Sequence, residues 1–290
     1  MILGKNRDVV IENIRAAAES GNFHAKVEPD DPVLTAADER AITSRYLSRL
    51  DSTEYKLKAC VARKFADCAA YFLNKNTDVV GLDKLDGLTG GAIITSNHFG
   101  PTENTAIRTL TKKLGKKLHI VSQVSNFAMT GPIGFLMNYA DVIPISKSVH
   151  YQRSPFMDLL SDILARGEHV LIYPEAEMWF NYRKPRPSLG GAYYFAAALG
   201  VPVISCFVEM QDLPELDTDD FYKVKYTVHI LDVIGVPQSG SLKDKYTAMQ
   251  KRDDTLKRDA YEHIYEKPLD YTFEQSDIAG HILRQDNENE

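Results

Sequence analysis

The sequence predicts an α/β fold, a mostly parallel central sheet flanked by helices, with an N-terminal helical extension. Two observations carry that prediction. From residue 76 onward, short continuous apolar runs alternate with helical patterns, and strands apolar on both faces belong to buried parallel sheets covered by helices. Residues 1–75 instead show apolar residues at helical spacing.

The expected strands are 91–96, 118–122, 141–145, 169–173, 202–208 and 224–234. Helical patterns lie between them at 101–114, 131–139, 154–166 and 189–199, and a charge-rich helix is expected over 242–266. Near the N-terminus, Val9, Ile11, Ile14 and Ala17 fit one helix face. Two prolines and a charge run make 26–33 a linker, and Thr35 followed by Asp38 marks a helix start. A helix over 54–73 carries Leu57, Val61, Phe65 and Phe72 as a stripe, interleaved with Lys56, Lys58, Arg63, Lys64 and Lys75. Such a stripe packs on a core with its basic face solvated, which is the expectation here; the alternative is a helix lying on an anionic membrane surface. The organisation is read as 1–75, an N-terminal helical region; 76–240, the α/β domain carrying the candidate site; and 241–290, a helix and polar tail in the same unit. The tail from Arg284 is expected to lack fixed structure.

The bulk numbers narrow the class. Of 290 residues, 44% are hydrophobic and 26% charged, as in globular proteins. A net charge of −6 argues against nucleic acid as a partner. The three cysteines, Cys60, Cys68 and Cys206, form no C-x-x-C pair, which suits a reducing cytoplasm. Charges interrupt the first apolar runs, so no secretory leader is expected. Residues 187–208 carry no charge, long enough to suggest a membrane span, but Gly190-Gly191 and Gly200-Val201-Pro202 divide them into helix, turn and strand.

In parallel sheets the site lies beyond the carboxyl ends of the strands. Strand 91–96 runs into Asn97-His98-Phe99-Gly100-Pro101-Thr102-Glu103. Within one helix, residues five apart diverge by about 140°. With His98 in the loop and Glu103 in the first helical turn, however, the carboxylate can fold back onto the imidazole. That pair suits hydroxyl activation: a neutral imidazole takes the proton, and the carboxylate fixes its tautomer. On spacing alone, helix capping by Glu103 is the favoured explanation, and the spacing is not that of a helical zinc site. Strand 169–173 leads into Pro174-Glu175-Ala176-Glu177-Met178-Trp179 and then Arg183, Lys184 and Arg186, a proline-stiffened basic loop that suits a phosphate or pyrophosphate or a solvated surface.

Four blocks in this order resemble the lysophospholipid acyltransferase family, which includes the bacterial 1-acylglycerol-3-phosphate acyltransferases. They are Asn97-His98 through Glu103 (N-H-x4-D), Gly131-Pro132-Ile133-Gly134 through Lys147, Tyr173-Pro174-Glu175 (F-P-E), and Gly200-Val201-Pro202-Val203-Ile204. The likeness covers residues 78–235. It implies fatty acyl transfer from acyl-CoA or acyl-carrier protein to a lysolipid hydroxyl in phospholipid biosynthesis. It also implies peripheral association with the inner face of the cell membrane, no metal and no cofactor beyond the donor. His98 becomes the base and Glu103 its partner, with Asn97, Lys147, Glu175, Glu177, Arg183, Lys184 and Arg186 as acceptor-binding candidates. Glu175 is expected to help hold the glycerol phosphate.

Three positions depart from the family pattern. Glu103 replaces Asp, Lys147 replaces an arginine, and Ala176-Glu177-Met178 stands where the family continues Gly-Thr-Arg. Arg183, Lys184 and Arg186 are expected to compensate for the missing arginine. Otherwise the acceptor is an aminolipid or glycolipid, and a non-catalytic acyl-lipid-binding protein is the remaining alternative.

Overall fold

The computed structural model describes residues 7–29 and 33–282. Residues 30–32 of the expected linker, and the tail from Arg284, lie outside the described residues. The helices are α1 (Arg7–Glu19), α2 (Ala36–Arg49), α3 (Thr53–Leu73), α4 (Asn104–Lys113), α5 (Gly131–Tyr139), α6 (Val149–Tyr151), α7 (Met157–Ala165), α8 (Gly191–Leu199) and α9 (Leu242–Tyr265). The strands are β1 (Asp78–Val80), β2 (Ala92–Thr95), β3 (Leu118–Gln123), β4 (Val142–Ile145), β5 (His169–Ile172), β6 (Val203–Thr218) and β7 (Phe221–Ile234).

They form one sheet in the order β1-β7-β6-β2-β5-β3-β4. Strands β6, β2, β5, β3 and β4 run parallel, β7 returns antiparallel to β6, and β1 joins parallel to β7. Strand β1 has no counterpart among the expected strands: three residues, two of them exposed, leave no apolar run. Strand β6 continues ten residues past the expected end, as one arm of a long hairpin whose outer part is exposed and mixed in polarity.

Alternation puts the central strands to work on both faces. Ile94 and Leu171 face α4, meeting Ile107 and Leu110, while Ile93 and Val170 face α7 and α8, meeting Leu160, Ile163, Tyr193 and Ala196. The uncharged stretch 187–208 divides at Gly200, whose φ of +69° ends α8 in the left-handed conformation that glycine tolerates. Among the described residues no helix is long and apolar enough to cross a membrane.

The N-terminal region splits between two places. On α1, Val10, Ile11, Ile14, Ala17 and Ala18 are buried against Trp179, Phe180, Tyr182, Phe221 and Ile278, whereas Val9 is exposed. The buried set is the i, i+3, i+4, i+7 stripe, and Val9 falls just outside it. The capping box at Thr35 and Asp38 starts α2. Helix α3 is reversed relative to expectation: Leu57, Val61, Phe65 and Phe72 are each more than half exposed, and Ala59, Ala62 and Ala70 face inward. Small residues let α3 approach α4 and α5 closely. Its orientation is tied by Arg63, whose guanidinium bonds both oxygens of the buried Asp141 at 2.6 and 2.8 Å.

Helix α9 is fastened by a buried charge. Asp253 accepts from Thr95 Oγ1 and Lys257 Nζ, both at 2.8 Å, and from the Tyr193 and Ser205 hydroxyls. One carboxylate thereby joins β2, β6, α8 and α9. Replacing Asp253 by Ala strands Lys257 as an unpaired buried cation, so urea unfolding should show a loss of about 3–5 kcal/mol. A second prediction concerns pH. His169 is buried, its Nδ1 accepts from the Ala92 amide at 3.1 Å, and burial, with Lys116 nearby, holds its pKa down at about 4. The unfolded chain therefore binds the proton first. Its contribution is complete above about pH 6.5 and is lost as pH falls towards 4; Tm should decline across that window, and less steeply in His169→Asn.

Candidate active site

Strand β2 ends at Thr95 in the middle of the sheet, and residues 96–103 cross its carboxyl edge before α4 begins. Glu103 has helical backbone angles just ahead of Asn104, but its side chain makes no forward capping bond to α4. It turns back instead. Oε1 meets His98 Nδ1, while Oε2 accepts from the Phe99 amide and, at 2.7 Å, from the Gly100 amide. The bond to the Gly100 amide is the reach-back half of a capping box, and the same carboxylate also engages the imidazole, so both readings of Glu103 hold at once. The carboxylate closes the loop on itself and brings together two residues that a straight helix would hold apart.

Exposure divides the pair by role. The Glu103 side chain is 2% exposed and that of His98 is 21% exposed. With Nδ1 engaged by a carboxylate, Nε2 is the nitrogen left to take a proton. Stacked at 4.2 Å and 7° on the imidazole is the ring of Tyr173, the first residue past β5. This follows from the register, because Thr95 pairs with Ile172 and the two chains leave the sheet side by side.

The backbone of His98 is held from the third block. Its amide donates to Glu175 Oε2 at 3.2 Å, and its carbonyl accepts from the Trp179 amide at 3.1 Å and from Arg186 at 3.3 Å. Glu175 and Arg186 form an ion pair at 2.8 Å with side chains 3% and 1% exposed. Arg186 also donates to the Phe23 carbonyl at 2.9 Å and to the Glu177 carbonyl, and lies 4.5 Å over the Trp179 ring. Trp179 Nε1 donates to the Ala25 carbonyl at 3.0 Å, so residues 23–25 form one wall of this framework. Ala176, standing where the family has glycine, has a φ of +68°, a strain of roughly 1–2 kcal/mol for a residue with a Cβ.

Several acceptor-binding candidates have other partners. Asn97 is buried, and its amide exchanges two hydrogen bonds with the backbone of Val208 on β6, at 2.8 and 3.0 Å. Glu175 is enclosed in its ion pair. The basic loop presents no free phosphate cradle, because each of its cations has a carboxylate. Arg183 pairs with Asp212 and donates to the Met210 carbonyl; Lys184 pairs with Asp277 at 2.8 Å and donates to Thr272 O; Arg186 pairs with Glu175. Burial is the reason: Lys184 and Arg186 are nearly inaccessible, and a buried cation without an anion is prohibitively costly. Glu177 is half-buried and accepts from Gln123 Nε2 at 2.8 Å. Lys147 is exposed just past β4, three strand positions from β2. Sequence reasoning passed over Tyr173 and Gln123; both stand at or just past strand ends, the signal that singled out His98.

Among the described residues no three His, Cys, Asp or Glu side chains converge as a metal-ligand set. An open cleft between α2 and α5, lined by Ile42, Phe127, Phe135 and Arg49, contains neither His98 nor Glu103, so chemistry rather than concavity identifies the site.

Residues 76–209 match the acyltransferase family, and this span holds His98, Glu103, Tyr173 and Glu175 together. That match assigns residues 76–209 as an acyltransferase domain. The matched span contains all four sequence blocks, from Asn97 to Ile204. The crystal structure of the 1-acyl-sn-glycerophosphate acyltransferase PlsC from Thermotoga maritima shares the fold, with a TM-score of 0.52 at 13% identity over 81% of this chain and 96% of that one. No curated protein matches the chain.

The geometry of this candidate site sets a graded prediction. Glu103→Gln puts an amide donor among three donors, so kcat should fall on the order of 10²–10⁴-fold. Glu103→Asp keeps the charge but shortens the reach and should fall between Gln and wild type. Steady-state kinetics on the purified variants, with circular dichroism to verify the fold, checks the order.

Proposed function

We propose that this enzyme transfers a fatty acyl chain from an acyl thioester, acyl-CoA or acyl-carrier protein, to the hydroxyl of a lysophospholipid, with 1-acylglycerol-3-phosphate as the leading acceptor. The observation that carries the reading is the His98–Glu103 pair at the carboxyl edge of β2. His98 Nε2 removes the acceptor's hydroxyl proton, and the oxygen attacks the acyl carbonyl. The thiolate then leaves and takes the proton back from the imidazolium. The nucleophile is the acceptor's own oxygen, and Glu103 stabilises the imidazolium between the two transfers.

One specific observation favours a second acceptor class. Arg183, Lys184 and Arg186 are each neutralised by a carboxylate, and Glu177 adds an acid beside the site. That arrangement suits a lysolipid whose headgroup is an amine or a sugar better than one anchored by phosphate. Mass spectrometry of products from mixed lysolipids with each acyl donor decides between them. Selective conversion of 1-acylglycerol-3-phosphate supports the first reading, conversion of aminolipid or glycolipid acceptors supports the second, and turnover retained in His98→Ala would end the mechanism itself.

The reading includes peripheral contact with the inner face of the cell membrane. Its support is the exposed α3 stripe, Leu57, Val61, Phe65 and Phe72, with Lys56 and Lys64 alongside. Apolar side chains flanked by lysines suit an anionic lipid surface, and a lipid acceptor is presented at one. Phe65→Asp with Phe72→Asp should markedly reduce sedimentation with anionic vesicles while sparing turnover of a dispersed short-chain lysolipid.

A further inference from the structure

Tyr173 has no role in the chemistry described so far, yet it makes the closest ring contact to the base. Its ring lies flat on His98, 4.2 Å between centroids and 7° from parallel. The opposite end of the residue is equally specific. The hydroxyl is buried and makes no hydrogen bond of good geometry, although it faces Glu103. Burial first, and then that carboxylate, push the phenol well above its usual range. A second phenol, Tyr226, senses the same carboxylate and is pushed up to about 12, again chiefly by burial.

The contacts of the pair secure the ring at one edge only. The bond from Glu103 to Nδ1 fixes which nitrogen carries the proton, and the backbone of His98 is held by Glu175, Trp179 and Arg186. The bond at Nδ1 holds one edge of the imidazole, and none of these contacts touches its face. A flat ring against that face restrains tilt, because tilting the imidazole forfeits the stacked contact. The side chain of Tyr173 is fixed in turn, since its backbone leaves the sheet from β5 and its ring packs against the core shared with Leu171 and Phe99.

We propose that Tyr173 is a positioning residue for the proposed reaction: its ring clamps the plane of the His98 imidazole so that Nε2 is aimed at the acceptor hydroxyl. It acts through His98 and touches neither substrate in this role. The inference rests on His98 being the base, so its test includes a readout that is independent of turnover.

Replacing Tyr173 by Leu removes the stack while retaining an apolar side chain. The expected result is a fall in kcat of about 10- to 100-fold, the scale of a small misplacement of a reacting group, with KM for both substrates within about twofold of wild type. Tyr173→Phe restores the stack and should recover kcat to within about threefold. Tyr173→Met is carried alongside in case the Leu variant is unfolded. Proton NMR reads the stack directly. The His98 ring signal, assigned by its loss in His98→Ala, should lie upfield in wild type and in Tyr173→Phe, and return to the range of unstacked histidines in the Leu or Met variant. The proposal is overturned if the Leu and Met variants keep wild-type kcat, if they lose rate only through KM, if Phe falls as far as Leu, or if the His98 signal does not move. Turnover persisting in His98→Ala would instead remove the base assignment, and the NMR shift would still report whether the stack exists.

Discussion

The buried ion pair of Glu175 and Arg186 is the constraint on which the rest of the site depends. At this pair the backbone of His98, the third-block loop and the N-terminal segment meet. Taking both charges out of water is expensive, and their mutual attraction alone barely offsets that cost. What supports the arrangement is that most of the remaining donors and acceptors bond backbone groups, those of His98, Phe23, Glu177 and Arg186 itself, with Arg186 Nε the exception. Removing either partner leaves the other as an uncompensated charge beside the base. The pair therefore specifies a position more than it supplies stability.

That constraint accounts for the layout around it. An ion pair this dry needs a lid, and α1 provides it by packing Val10, Ile14 and Ala18 with Trp179, Tyr182 and Ile278. The N-terminal helix and the segment around Ile278 are thus part of the framework around His98, although they lie far apart in sequence. Glu103 completes the framework from the opposite side. With three donors on its two oxygens it is locked in place, so the imidazole it faces has one tautomer and one free nitrogen.

The cations of the third-block loop show how a motif reading and a structure diverge. Arg183, Lys184 and Arg186 read as a compensating phosphate site because three cations close together in a proline-stiffened loop are complementary to an anion. In the folded chain the anions are internal: Asp212 from the β6–β7 hairpin, Asp277 from the C-terminal segment, and Glu175 from the loop itself. Sequence displays charge but not which charge answers it, and Asp277 lies more than ninety residues from Lys184.

Much of the fold was legible in the sequence, because buried parallel strands must be continuously apolar and helices must repeat every 3.6 residues. The runs that became β2 to β5, the helices α4, α5 and α8, and the position of His98 past a strand end all follow from that. The direction of α3 did not, since a 3.6-residue stripe tells which side chains share a face and says nothing about which face meets the core. Leu57, Val61, Phe65 and Phe72 share one, and it points outward. By itself, then, the sequence determined the elements and nominated His98 and Glu103 as a pair, since the elements rest on local periodicity and the pair on its place past a strand end and on four blocks in register. Only the tertiary structure decided that Glu103 reaches His98 as well as the loop amides, that Tyr173 stacks on His98, and that Asn97, Glu175, Lys184 and Arg186 are interior, because each of these turns on a partner or a burial that no local pattern encodes.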